Sequence, residues 1–157
     1  MTVVVLDANA VIMHGRAFPD RVRTAVEEGA TLILPRSVKQ ELVDDVLAAD
    51  NAPANHRASA QAIQDLVDEG FLVLRTPDFE RYSGVIDEAR QHIAGDTLPE
   101  YTVKADQYIP ALACGLATDD TVHLITADTK LRTIVQDIAA RHGVAENVRL
   151  IDPLTVL

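Results

Sequence analysis

Two carboxylates stand where strands should end. In "VVVLDANAVI", residues 3–12, a β-branched run closes on Asp7; in "VHLITADTKL", residues 122–131, an apolar run is followed by Asp128 just before helical spacing resumes. Either could be an ordinary helix cap, because an Asp side chain readily accepts the free N–H groups of a helix's first turn. As a pair they could also be half of a metal site. Glu41 lies one turn into the helix expected after residues 31–35, and Asp106 lies near the start of the helix expected before residues 122–126. Four carboxylates sharing one crevice repel one another unless a cation is bound. A hard-oxygen set of this kind suits Mg²⁺ or Mn²⁺, which keep several waters and complete their shell with substrate phosphate.

For the four acids to meet, the elements carrying them must end at one edge. Continuous apolar runs occur at 3–7, 31–35, 71–75, 122–126 and 147–151, each separated by stretches with helical spacing. Strands apolar on both faces that alternate with helices define a parallel sheet covered on both sides. The expected fold is therefore α/β, a three-layer α/β/α arrangement around a five-stranded parallel sheet. If the strand order is 3-2-1-4-5, strands 1 and 4 are neighbours at the point where the order reverses. Functional groups of such sheets gather there, outside the carboxyl ends of the strands. Helices are expected over 19–28, 38–49, 54–69, 78–94, 103–117 and 129–142, with a short turn after Asp7. Ser37 and Gln40 have the spacing of a capping box. Pro110 requires the 103–117 helix either to start near Asp106 or to kink.

Composition limits the function. The 157 residues fit one domain spanning 1–157, with 48% hydrophobic residues for a core. A single cysteine, Cys114, excludes a disulfide framework and a cysteine zinc site, and points to a reduced, cytoplasmic setting. No run approaches the roughly 18 apolar residues of a membrane span. His14, His56, His92, His123 and His142 show no metal-ligand spacing, and no glycine-rich phosphate loop is present. The net charge of -10 and the scarcity of lysine resemble a surface suited to concentrated salt, where screening removes self-repulsion, so a halophilic source is expected. The same charge requires that any polyanion be met by a local patch. Lys39, Lys104 and Lys130 each lie two positions from one of the acids, and Arg36 and Arg132 belong to the same sheet end. These five bases form a candidate rim for a polyanion's backbone, or a set of charges that neutralises the unliganded acids. Aromatic residues are too few for base stacking to be expected as the main source of affinity.

The segments "VVVLDANAVI", "LPRSVKQELVDD", "VKADQYIPALACGL" and "HLITADTKLRTIV" together resemble the PIN-domain nucleases, the family that includes the VapC-type toxins of toxin–antitoxin pairs. The resemblance spans nearly the whole chain, which is longer than compact VapC toxins chiefly around 50–65 and 94–102. It implies a Mg²⁺- or Mn²⁺-dependent endoribonuclease with an acidic site at Asp7, Glu41, Asp106 and Asp128. The metal would fall mainly to Asp7, Asp106 and Asp128, with Asn9 and Thr126 as polar auxiliaries. An antitoxin is the implied protein partner. PIN-like domains commonly pair, and apolar Leu47, Ile63 and Leu66 are candidates for a homodimer face. A haloacid-type phosphatase would need a second Asp where Asn9 stands, and a receiver domain would need Asp after the third strand, where the chain reads "LRTP". The remaining alternative is a catalytically silent PIN-like scaffold that binds RNA or a protein.

Overall fold

The structure is a computed structural model that describes residues 1–94 and 106–154. Its centre is a parallel sheet of β1 (Thr2–Leu6), β2 (Leu32–Pro35), β3 (Leu72–Arg75), β4 (Thr121–Ile125) and β5 (Val148–Ile151), in the order β3-β2-β1-β4-β5. All four neighbouring pairs are parallel, and helices cover both faces. The expected architecture and order hold. The cause is visible in β1, β2 and β4, where Val5, Leu6, Leu34, Val122, Leu124 and Ile125 are all fully buried. A strand buried on both faces must have helices above and below it, and only crossover connections supply them between parallel neighbours.

The connecting helices are α1 (Ala8–His14), α2 (Phe18–Glu27), α3 (Arg36–Lys39), α4 (Asp45–Ala48), α5 (Ala54–Asp68), α6 (Ser83–Ala94), α7 (Ile109–Ala117) and α8 (Thr129–Arg141). A π-helical segment, Gln40–Asp44, joins α3 to α4. A 3₁₀ turn, Asp106–Tyr108, leads into α7. Pro110 sits in the first turn of α7, where its missing N–H costs no helical hydrogen bond, so the helix region begins at Asp106 without a kink inside α7. Residues 103–105 of that expected helix lie outside the described residues.

Three local expectations change. The helix after β2 starts at Arg36, with Pro35 in the capping position and no side-chain cap bond. Ser37 is thus already inside the helix, and the Ser37–Gln40 capping box does not form. The helix expected from 78 starts at Ser83. Ile63 and Leu66, two of the three positions offered as a pairing face, are 5% and 0% exposed inside the protein's own core, and Leu47 packs against that core. The α5 stripe therefore covers the sheet of its own chain and supplies no surface for a second copy. Cys114 is likewise a packing residue, buried in α7, and burial pushes its thiol up to about 11.

Leu66→Ala removes a fully buried side chain and should cost about 2–5 kcal/mol of unfolding free energy, read from urea denaturation. A change below about 1 kcal/mol would show that α5 does not pack as described.

Candidate active site

The site is built outward from the last residue pair of the central strands. Leu6 and Ile125 are aligned across β1 and β4, and the Asp7 N–H donates to the Ile125 carbonyl at 3.3 Å. This places Asp7 beside Thr126 at the carboxyl edge, where the strand order reverses. Asp7 caps α1, with its Oδ1 accepting from the Ala10 N–H at 2.8 Å. The Asn9 N–H and the Thr126 hydroxyl also donate to it. Asp7 is only 1% exposed, and burial still dominates these three donors: its pKa is raised, with the negative charge of Asp128 adding to the effect.

Thr126, fully buried, works on both sides. Its hydroxyl donates to Asp7 and accepts from the Asp128 N–H at 3.1 Å. Asp128 in turn caps α8, with Oδ1 accepting from the Leu131 N–H at 3.0 Å. The capping reading of the two aspartates is therefore correct, and it does not compete with the functional one. Capping uses one oxygen of each and fixes the rotamer of both. Asn9 is exposed, and what it supplies to Asp7 is its backbone N–H.

The other two acids arrive from opposite sides. Glu41 rides on the π-helical segment, and Asp106 opens the 3₁₀ turn. The pKa of Asp106 is raised to about 7, first by burial and then by the charges of Asp7, Asp128 and Glu41. One group that feels all three others places the four acids in a common field. Glu41 is exposed at the rim, yet neighbouring atoms crowd its carboxyl enough to raise its pKa, with Asp45 adding like-charge repulsion. Among the described residues, no three acidic, His or Cys side chains stand close enough to chelate one ion. The carboxylate oxygens fit a hard divalent cation by chemistry and by charge.

The rim is less uniform than its spacing in sequence implies. Lys39 is mostly buried and its ammonium pairs with Asp44 at 2.5 Å. Lys130 donates to the carbonyl of Ile93 at the end of α6, at 2.8 Å. Lys104 lies outside the described residues. Arg36 and Arg132 have no side-chain hydrogen bond or ion pair among the described residues, which leaves them as the bases open to a substrate.

The π-helical segment explains the Lys39 partner. In an α-helix, side-chain neighbours lie three and four residues apart, whereas a π turn brings i and i+5 onto one side. Lys39–Asp44 and Gln40–Asp45 both have that spacing. Spacing alone also gave no signal for Gln107. It is 5% exposed, accepts from the Arg90 Nε at 2.7 Å, and thereby ties the Asp106 turn to α6.

A parallel five-stranded α/β/α fold with an acidic crevice at its switch point defines a PIN-like protein. The chain belongs to the family described as the halobacterial PIN domain, whose model matches residues 1–157. The family carries a nuclease-type fold, and its halobacterial description accords with the acidic, lysine-poor sequence. No curated protein matches the chain. Among the described residues, no helix is long and apolar enough to cross a membrane.

The raised pKa of Asp106 sets a pH dependence. Its folded value, about 7, lies above the ordinary carboxylate value near 4, so the folded state holds this proton more tightly than the unfolded chain does. Its contribution favours folding fully below about pH 4 and is lost as pH rises through about 7. In metal-free buffer, Asp106→Asn should therefore be more stable than the parent near pH 8, with the difference closing towards pH 4. A gap independent of pH in denaturant titrations would contradict the clustering of the acids.

Proposed function

We propose that the chain is a Mg²⁺- or Mn²⁺-dependent endoribonuclease that hydrolyses phosphodiester bonds. The observation that carries this reading is the common field of four acids at the sheet's switch point, with Asp106 raised to about 7 first by burial and then by the charges of Asp7, Asp128 and Glu41. Such a cluster is costly without a cation and is useful with one. In the proposed reaction, Asp7, Asp106 and Asp128 hold the metal. When bound, the cation supplies Lewis-acid polarisation of the phosphate and activation of a water.

The remaining work falls to the protein's own groups. Thr126 fixes the relative position of Asp7 and Asp128 by bonding to both. The Asn9 and Ala10 N–H groups orient the Asp7 carboxylate from the helix side. Glu41, at the rim and with a raised pKa, would orient the attacking water and accept its proton. Arg36 and Arg132 hold the RNA backbone. Of the lysine rim, Lys39 and Lys130 already have protein partners, so their contribution would require exchanging Asp44 and the Ile93 carbonyl for phosphate. The resemblance of the motifs to VapC-type toxins extends this reading to the toxin of a toxin–antitoxin pair, for which growth arrest on expression and rescue by an adjacent reading frame are the expected signs.

Asp7→Asn should abolish Mg²⁺-dependent cleavage of RNA while preserving the fold, because the amide keeps the shape of the side chain and loses the charge. Full cleavage by this variant at saturating Mg²⁺ would remove Asp7 from the site. Retained RNA binding with no cleavage by the parent in either metal would instead support the silent scaffold. A readout independent of activity is stability: Mg²⁺ should raise the parent's thermal midpoint and raise that of Asp7→Asn less, since a ligand stabilises only the state that binds it. Equal shifts would place the ion elsewhere.

A further inference from the structure

A cleft of about 210 Å³ opens where β2 and β3 end. Its walls are Arg36 and Gln40 on the β2 side, Arg75 and Phe79 after β3, and Tyr108 and Leu112 from the α7 side. It is continuous in sequence with the acidic site at two points. Gln40 immediately precedes Glu41, and Tyr108 ends the turn that Asp106 begins.

Two features of the cleft lack a structural reason. Phe79 is 52% exposed, and its ring stands edge-to-face on Tyr108 with centroids 5.7 Å apart and an interplanar angle of 84°. A large aromatic ring left this open forgoes the burial that would stabilise it, while presenting a free π-face. The chain has only three phenylalanines and three tyrosines, and one of each meets here. The second feature is charge. Pro35 and Arg75 are aligned partners across β2 and β3, so Arg36, the next residue, is a near neighbour of Arg75. Neither guanidinium has an ion pair or side-chain hydrogen bond among the described residues, in a protein with 24 acids and 14 bases. Two adjacent cations left without carboxylates, amid such an excess of them, suit a polyanion supplied from outside.

We infer that this cleft receives one unpaired base of a single-stranded nucleic acid, stacked on Phe79, while Arg36 and Arg75 hold the phosphates flanking it. The volume is below the roughly 300–1,000 Å³ of pockets for drug-sized ligands, which suits a single flat ring system. Stacking on an aromatic face needs an unstacked base, so a continuous duplex is excluded and single strands, loops and bulges are accepted. The inference rests on the nuclease reading for its substrate and specifies which form of RNA reaches the acids: the nucleotide next to the scissile phosphate is splayed out. Base stacking thus has a larger part than the scarcity of aromatic residues implied.

The test is a binding cycle in the Asp7→Asn background, so that nothing is cut. A fluorescent RNA 10-mer is compared with versions in which one nucleotide at a time is replaced by an abasic spacer, using Phe79 and Phe79→Ala proteins. In the Phe79 protein, removal of one particular base should weaken binding about 5- to 100-fold, the range for stacking on an aromatic side chain. In Phe79→Ala that removal should have no further effect. Because Phe79 is half exposed, the variant should retain the parent's thermal midpoint. Arg36→Gln with Arg75→Gln should make the log–log salt slope shallower by roughly 1.4 for two lost contacts to a single strand. Equal penalties for each abasic spacer in the two proteins, or duplex bound as tightly as single strand, would overturn the cleft assignment. Cleavage by the parent is assayed on the same 10-mer. Cleavage without the Phe79-dependent base effect removes the cleft and keeps the nuclease; the base effect without cleavage in Mg²⁺ or Mn²⁺ removes the nuclease and keeps the cleft.

Discussion

Everything at the carboxyl edge of the sheet is arranged around one unfavourable fact: Asp7 is a carboxylate almost wholly removed from water, with Asp128 and Asp106 in its field. An isolated buried charge of this kind costs far more than one hydrogen bond returns. The surrounding structure supplies three donors, from Ala10, Asn9 and Thr126, and these still leave the pKa raised. The strand order puts β4 beside β1 so that Thr126 can be one of the donors, and α1 starts where its free N–H groups point at the carboxylate. A fold selected only for stability would replace Asp7 with a cap less deeply buried. Its retention at the switch point makes physical sense when a cation completes the charge.

The sheet was legible in the sequence because both-face burial leaves an unbroken apolar run, and five such runs appeared within one or two residues of the observed strands. Two of the acids were legible for a related reason. Asp7 directly follows its strand and Asp128 comes shortly after β4, so both lie past strand ends that parallel pairing puts at one edge; Glu41 and Asp106 follow no such rule. What pattern reading missed depends on departures from regular period. The Lys39–Asp44 pair exists because the helix widens to π spacing between Gln40 and Asp44, and a reading at 3.6 residues per turn places those two side chains on different faces. The absent capping box has another root: the helix begins at Arg36, two residues earlier than spacing around Ser37 implied. Lys130 and Gln107 bind groups 37 and 17 residues away in sequence, on α6, which no local pattern encodes.

Among the described residues of the expected rim, the two bases that keep side chains open are both arginines, and this fits the chemistry of an acidic protein in salt. Lysine concentrates its charge in a strongly hydrated ammonium, whereas the guanidinium is more weakly hydrated, planar and able to bind phosphate through two parallel hydrogen bonds. Where screening weakens simple attraction, geometric contacts of this kind retain more of their selectivity than point charges do. Lys39 is used differently, closing an ion pair on the flank of the π-helical segment that carries Glu41. Its charge is spent on the segment that carries an acid, so the two cationic residue types divide the labour.

The capping role of Asp7 and Asp128 and the catalytic role proposed for them are not rivals, because the geometry of the first would serve the second. A carboxylate free to rotate would turn away from its like-charged neighbours, since the repulsion is relieved fastest by turning towards water. Each cap bond, 2.8 Å at Asp7 and 3.0 Å at Asp128, holds one oxygen against a helix N-terminus and so prevents that turn. The second oxygen of each is then left directed by the backbone, without a long side chain's entropy to overcome. Glu41 and Asp106 lack such caps among the described contacts and sit on a π-helical segment and a 3₁₀ turn, the two least regular supports in the site. The site thus pairs two acids held by helix caps with two carried on irregular turns.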